Sequence, residues 1–221
     1  MIRGSLLAAL ALGAGIAHAQ MHMCKDALGH KVFSDQPCGS DDSIVDVNPA
    51  MGGPSINPSS SIRVEHYEIR GTTWPDLVRE IDSKGPEGFW GSASSPIRYH
   101  FEATPSPGGC RAASVHATTD ARVRLPSWAN RYEGSASLQA QWDSSYRSLD
   151  LHERGHVQIS LDGAKEMERV LNSLPEQPTC EALVAEGRRR AQEVLAAVSR
   201  RQLAYDAQTN HGRDQWSPYR N

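Results

Sequence analysis

The sequence has no excess of positive charge and, after its first 20 residues, no long apolar run. Its 221 residues carry 23 Lys and Arg against 26 Asp and Glu, which gives a formal net charge of −3. This balance provides no electrostatic surface for a polyanion, so we do not expect nucleic-acid binding. The later segments are too polar to cross a bilayer, so we expect no membrane span.

The first 19 residues have the features of a secretory signal peptide. Arg3 precedes an apolar stretch over residues 6–16, and the small residues of Ala17-His18-Ala19 precede Gln20. The apolar stretch is too short for a transmembrane helix, and the small residues are typical of a signal-peptide cleavage site. We therefore predict a periplasmic or extracellular protein whose mature chain begins at Gln20.

Cysteine is scarce, and its spacing excludes a common type of metal site. The four cysteines are Cys24, Cys38, Cys110 and Cys180, and none of them forms a C-x-x-C pair. An even number of cysteines in an exported chain favours disulfides instead. Of the three possible pairings we favour Cys24 with Cys38, which share one short hairpin-like segment, and therefore Cys110 with Cys180.

The rest of the chain divides into a small module, a linker and a main domain. Residues 20–47 contain two short strand-like runs around a turn at Leu28-Gly29, which predicts a hairpin stapled by the first disulfide. Residues 48–61 are rich in Pro, Gly, Ser and Asn and predict a linker, because they offer little to bury. The main domain is expected over residues 62–221.

The main domain is predicted to be α+β. Thr73 and Pro75 indicate the start of a helix at Trp74 that runs to about Ser83. Alternating apolar residues predict strands over 62–69, 97–103 and 110–125, and helical spacing predicts helices over 135–148, 150–174 and 180 to about 205. Strands followed by helices indicate a small antiparallel sheet packed against long helices.

One predicted helix contains an HExxH motif. Residues 151–159 read LHERGHVQI, in which His152 and His156 are four residues apart and Glu153 lies beside them. That spacing places both imidazoles on one helix face, where they can bind one zinc ion. Glu153 is the predicted catalytic base, which takes a proton from a zinc-bound water and passes it to the departing amine. The apolar residues around the motif favour this interpretation over two idle surface histidines.

A zinc site of this kind needs a third protein ligand, and the H-x-x-G-x-x-H continuation is absent. We favour His211, because Gly212 would let the chain turn back past the last helix. Asp206 is the alternative, either as a ligand or as an acceptor that orients an imidazole. His211 could instead lie in a frayed tail. Tyr205 or Tyr219 could supply an oxyanion donor, although a packed tyrosine is more common at a helix end.

Two parts of the chain resemble known bacterial families. From residue 62 to about 212 the chain is similar to a family of secreted bacterial proteins, formerly of unknown function, that are predicted zinc-dependent proteases. The segments that carry this likeness are residues 67–72 (YEIRGT), Gly109-Cys110, Leu125-Pro126 with Trp128, the HExxH motif, and residues 205–212 (YDAQTNHG). The resemblance implies a metallopeptidase fold and favours His211 over Asp206 as the third ligand.

The second resemblance is to a small N-terminal domain of unassigned function, which occurs on many periplasmic proteins of Proteobacteria. It is carried by Cys24, Asp26, Gly29, Phe33, Ser34, Asp35, Pro37 and Cys38. Together these observations predict an exported zinc metallopeptidase, a hydrolase whose partner is a peptide or protein substrate. The alternatives are an exported zinc-binding protein without turnover and a cell-wall amidase.

Overall fold

The computed structural model describes residues 22–25, 31–34, 60–212 and 215. Within these residues the order of elements is β1 (His22–Lys25), β2 (Lys31–Ser34), β3 (Ser61–Ile69), α1 (Trp74–Lys84), β4 (Ser92–Ser94), β5 (Ile97–Ser106), β6 (Gly109–Trp128), α2 (Ala136–Asn172) and α3 (Cys180–Thr209). The predicted signal peptide, Cys38, Tyr219 and nearly all of the predicted linker lie outside the described residues. The α+β class is confirmed.

Strand β6 is the centre of the sheet. On one side its first half pairs antiparallel with β5, and β4 continues that side by pairing antiparallel with Arg122, Val123 and Arg124. On the other side β6 pairs parallel with β3, from Ser61 opposite Asp120 to Ile69 opposite Trp128. The predicted antiparallel sheet is therefore wrong, because the sheet is mixed. Residue alternation specifies which face of a strand is buried but not the direction of its partner.

The N-terminal hairpin extends the same sheet. Strands β1 and β2 pair antiparallel with each other, as the two strand-like runs on either side of Leu28-Gly29 predict. Strand β2 then pairs antiparallel with β5, with Phe33 opposite Tyr99 and Ser34 opposite Arg98. The hairpin backbone therefore lies at one edge of the main domain's sheet.

Helix α2 packs across one face of the sheet. Val123 and Leu125 of β6 form a buried cluster with Val157 and Leu161 of α2. The helix is continuous over 37 residues, so the predicted division into two helices near Leu149 is wrong. Neither Gly nor Pro occurs between Ala136 and Arg154, so nothing in this stretch ends the helix.

Helix α3 packs against both α2 and β5. Met167 and Leu171 of α2, Ala191 and Val194 of α3, and Tyr99 of β5 belong to one buried cluster. The predicted disulfide between Cys110 and Cys180 is confirmed, and it joins the first turn of α3 to the start of β6. Among the described helices, none is both long and apolar enough to span a membrane.

Candidate metal centre

The two histidines of the HExxH motif face a common point. Their ring centroids are 4.7 Å apart with an interplanar angle of 85°. The Nε2 atoms of His152 and His156 lie 3.2 Å from each other. The single helical turn predicted from the spacing therefore directs one nitrogen of each imidazole at the same place.

Asp206 of α3 brings a carboxylate oxygen to the same point. Its Oδ1 is 3.0 Å from Nε2 of His156 and 3.3 Å from Nε2 of His152. Ligands about 2.0–2.1 Å from a tetrahedral zinc ion lie about 3.3 Å from one another, so the three atoms have suitable separations. Across the part of the chain that the structure describes, these are the residues whose arrangement could hold a metal ion.

His211 lies at the edge of this group. Its Nδ1 is 3.7 Å from Oδ1 of Asp206, and its side chain is 63% exposed. Asn210 and His211 both have left-handed backbones, with φ of 50° and 52°. Asp206, which was predicted as the alternative third ligand, is thus the acid that contacts both imidazoles. The assignment of His211 as a ligand stays a prediction.

The turn after α3 passes directly over the ring of His152. Gly212 has φ of 79°, and a Cβ there would lie 2.9 Å from Cγ of His152. A side chain at this position would therefore be strained and would collide with the imidazole. Because Gly212 permits the approach, Gln215 can place its Oε1 3.2 Å from Nδ1 of His152.

Tyr205 packs against both imidazoles. Its ring is stacked on His152 at 5.2 Å and meets His156 edge-on at 5.1 Å. Its hydroxyl accepts a hydrogen bond of 2.9 Å from Nε2 of Gln215. These contacts make Tyr205 part of the packing that fixes the rings, and its predicted role as an oxyanion donor stays a prediction. Tyr219 lies beyond the described residues.

Glu153 is a buried carboxyl beside the two histidines. The residue is 5% exposed. Burial, followed by the negative charges of Asp206 and Asp150, raises the pKa of Glu153 to about 7. A nearby divalent cation would lower this pKa, because positive charge favours the ionised carboxylate. A carboxyl that titrates in this range can both take and return a proton near neutral pH.

The surroundings of His152 favour its neutral form. Burial lowers the pKa of His152, and the neighbouring His156 lowers it further, although Asp206 acts in the opposite direction. Only a neutral imidazole has a nitrogen lone pair for a metal ion. The environment of His152 therefore favours the form that can act as a ligand.

His152, His156 and Asp206 line an open groove of about 1150 Å³. Its lining comes from residues 87–97, including all of β4, and from the faces of α2 and α3 that meet there. Phe89 and Leu203 in this lining are large apolar side chains that are 57% and 68% exposed. The groove is large enough for a chain-like ligand to reach the histidines and Glu153.

Three residues that contact the histidines carry no motif that marks them in the sequence. Gln202 and Thr209 of α3, together with Gln215, each place an oxygen within 3.3 Å of an Nδ1 atom of the pair. Gln202 lies four residues before Asp206, so helical spacing could have placed it on the same face. Gln215 follows the turn after α3, and no spacing in the sequence indicates that it contacts a histidine.

Replacing Gly155 with Ala should destabilise the protein, because Gly155 lies between the two histidines on α2 and packs against Tyr205. A Cβ at this position would lie 2.1 Å from the hydroxyl oxygen of Tyr205 and 2.3 Å from its Cζ. We expect overpacking to lower the free energy of unfolding by about 1–3 kcal/mol, although alanine is the better helix former. Urea unfolding measures the change. The control is Arg154→Ala, at a side chain that is 46% exposed. Unchanged stability in Gly155→Ala would contradict the close packing.

Comparisons with known proteins identify two families. The family described as bacterial protein of unknown function (DUF922) matches residues 64–212, and the domain of unknown function DUF4124 matches residues 8–61. Searches among curated proteins and among solved structures returned no match. The two resemblances are thereby confirmed as bacterial domains of unknown function, and the first match covers more than half of the chain. The chain therefore belongs to the DUF922 family of bacterial proteins.

Proposed function

We propose that the protein is an exported zinc-dependent peptidase of the HExxH type. One observation carries this proposal. Three ligand atoms from His152, His156 and Asp206 converge at 3.0–3.3 Å, beside a buried carboxyl and at the base of an open groove. A structural zinc site is normally closed by four protein ligands, whereas a catalytic one keeps a position open. A set of three protein ligands therefore supports a catalytic zinc site.

Two imidazoles and one carboxylate form a donor set that zinc accepts. A zinc ion bound there would act as a Lewis acid towards a substrate carbonyl and would lower the pKa of a water ligand towards neutral. All three donors are on helices, and Oδ1 of Asp206 on α3 lies 3.3 and 3.0 Å from the Nε2 atoms of the two histidines on α2. The protein's contribution is thus a rigid set of ligands with one face open to the groove.

Glu153 is the residue that we assign to proton transfer. During peptide hydrolysis the oxygen of water bonds to the carbonyl carbon, and the bond from that carbon to the amide nitrogen breaks. One proton of the water passes to the carboxylate of Glu153, which then donates it to the departing amine. The burial of Glu153 beside the ligands keeps this proton away from bulk solvent.

The groove supports an extended peptide as the substrate. Strand β4 lines the groove, and its pairing with β6 uses one of its two edges. An extended peptide can add to the edge of a strand through backbone hydrogen bonds. Phe89 and Leu203 would then contact apolar side chains of the substrate, because both are exposed in the lining. This placement puts a peptide bond near Glu153.

A digestion experiment tests the proposal. The purified protein should cleave a peptide library, a chelator should stop cleavage, and added zinc should restore it. His156→Ala, treated in the same way, is the control for a contaminating protease and should stay inactive after zinc is added. Stoichiometric zinc without cleavage would overturn the peptidase and favour a zinc-binding protein without turnover. Release of muropeptides in place of peptide cleavage would favour the cell-wall amidase.

A further inference from the structure

We infer that Gln202 is a positioning residue that holds the proton of neutral His156 on Nδ1, and that Thr209 and Gln215 do the same for His152. Both Nε2 lone pairs then face Asp206. The use of this arrangement in metal binding rests on the proposed function, whereas the position of each proton is inferred from contacts within the protein alone. Neither Gln202 nor Thr209 is one of the three proposed ligands.

The side-chain amide of Gln202 can be orientated without ambiguity. Its Nε2 is 3.0 Å from the backbone oxygen of His156 and 3.1 Å from Oγ of Ser160. A backbone oxygen only accepts hydrogen bonds, so the amide nitrogen must be the atom that faces it. The Oε1 of Gln202 is then the atom 2.6 Å from Nδ1 of His156. Because Oε1 also only accepts, and is closer to Nδ1 than the 3.0 Å that separates Oδ1 of Asp206 from Nε2, it favours the tautomer with the proton on Nδ1.

Nδ1 of His152 also faces acceptors, which come from Thr209 and Gln215. The hydroxyl of Thr209 donates its one proton to the backbone oxygen of Tyr205 at 2.7 Å. Its oxygen, 3.3 Å from Nδ1 of His152, is therefore available only as an acceptor. Gln215 donates through Nε2 to the hydroxyl of Tyr205 and turns Oε1 towards the same Nδ1 at 3.2 Å. Two acceptors at Nδ1, against the single carboxylate oxygen 3.3 Å from Nε2, favour the tautomer with the proton of His152 on Nδ1.

Both assignments leave three acceptors facing one another. The Nε2 atoms are 3.2 Å apart, and Oδ1 of Asp206 is 3.0 and 3.3 Å from them. With no proton on either Nε2, these lone pairs repel one another until a cation lies between them. The opposite tautomer would place a proton where the ion must bind. Hydrogen bonds to Nδ1 therefore prepare both rings to act as ligands.

Gln202 is itself held in place from the opposite wall of the groove. Oγ of Ser160, which accepts from Gln202, lies 2.7 Å from Oγ of Ser95. Ser95 lies between β4 and β5. A chain of hydrogen bonds thus joins the groove wall to Nδ1 of His156, and it restricts the rotation of the glutamine amide.

Two substitutions at Gln202 separate positioning from packing. Gln202→Met has a similar volume but no acceptor for Nδ1 of His156, whereas Gln202→Glu keeps an acceptor. Two-dimensional ¹H–¹⁵N NMR of the metal-free protein, with His156 assigned by comparison with His156→Asn, shows which ring nitrogen carries the proton. Competition with a chromogenic chelator measures the zinc dissociation constant. The matched control is Gln158→Met on α2, the helix of His156, where the glutamine contacts Asp162 instead.

We expect His156 to carry its proton on Nδ1 in the wild type, in Gln202→Glu and in Gln158→Met, and to be a mixture of tautomers in Gln202→Met. Zinc affinity should fall by about 10–100-fold in Gln202→Met and recover in Gln202→Glu. A proton on Nε2 in the wild type would overturn the inference even if zinc binds tightly. An unchanged tautomer of His156 in Gln202→Met would also overturn the inference. An Nδ1 proton in a protein that binds no zinc would uphold the inference and overturn the proposed function.

Discussion

Glu153→Gln should abolish peptide hydrolysis while zinc remains bound. The amide has the shape of the carboxyl but cannot take the proton that the attacking water releases. Loss of a general base slows an enzyme by about 10²–10⁴-fold, so we expect kcat/KM to fall by at least that range. Glu153 is not one of the three residues that could hold the ion. Zinc content measured on the same sample should therefore match the wild type.

The control for this result is Glu166→Gln. It removes one carboxylate from the same helix, at a residue that pairs with Arg201 of α3 at 2.9 Å and lies outside the groove lining. We expect its turnover to equal that of the wild type. Equal turnover in Glu153→Gln would end the assignment of Glu153 as the catalytic base. A loss of zinc in that variant would instead make Glu153 part of the binding site.

Asp206→Asn should lose stoichiometric zinc, whereas His211→Ala should retain it. Oδ1 of Asp206 contacts both Nε2 atoms, while Nδ1 of His211 lies 3.7 Å from that oxygen on a largely exposed side chain. Removing a residue that only supports a ligand costs about 10–100-fold in metal affinity, so removing a ligand should cost more. Metal analysis after dialysis, with chelator competition for the affinities, measures both variants.

The opposite result would also be informative. If His211→Ala lost zinc and Asp206→Asn retained it, the third ligand would be the histidine favoured by the family resemblance. Asp206 would then lie beside the ion without being one of its ligands. If both variants lost zinc, Asp206 and His211 would both belong to the ligand set.

The sequence predicted those features that depend on nearby residues. The helical spacing of His152 and His156 settles that both rings share one face, and the structure agrees. The choice between Asp206 and His211 as the third zinc ligand depended on where α3 ends. We predicted an end near Tyr205, which would leave Asp206 beyond the helix, but α3 continues to Thr209. Asp206 therefore shares a helix face with Gln202 and points at the histidines.

The pairing of distant strands and the hydrogen bonds to the two histidines could not be predicted from the sequence. Nothing in the alternation of β3 indicates that it runs parallel to β6, because its partner lies 59 residues away. Gln202 and Gln215 are ordinary polar residues, and in a helix or a tail such residues usually face water. Only the positions of their amide groups reveal that they contact His156 and His152.

The position of β6 in the sheet has a consequence for the order of folding. Strands β3, β4 and β5 all precede β6 in the chain, and each of them pairs with it. A ribosome therefore completes three strands before the one that joins them exists. The contacts between β3 and β6 must also close a long loop, which slows folding. The centre of this sheet should thus form late and cooperatively, around the last of its strands to be synthesised.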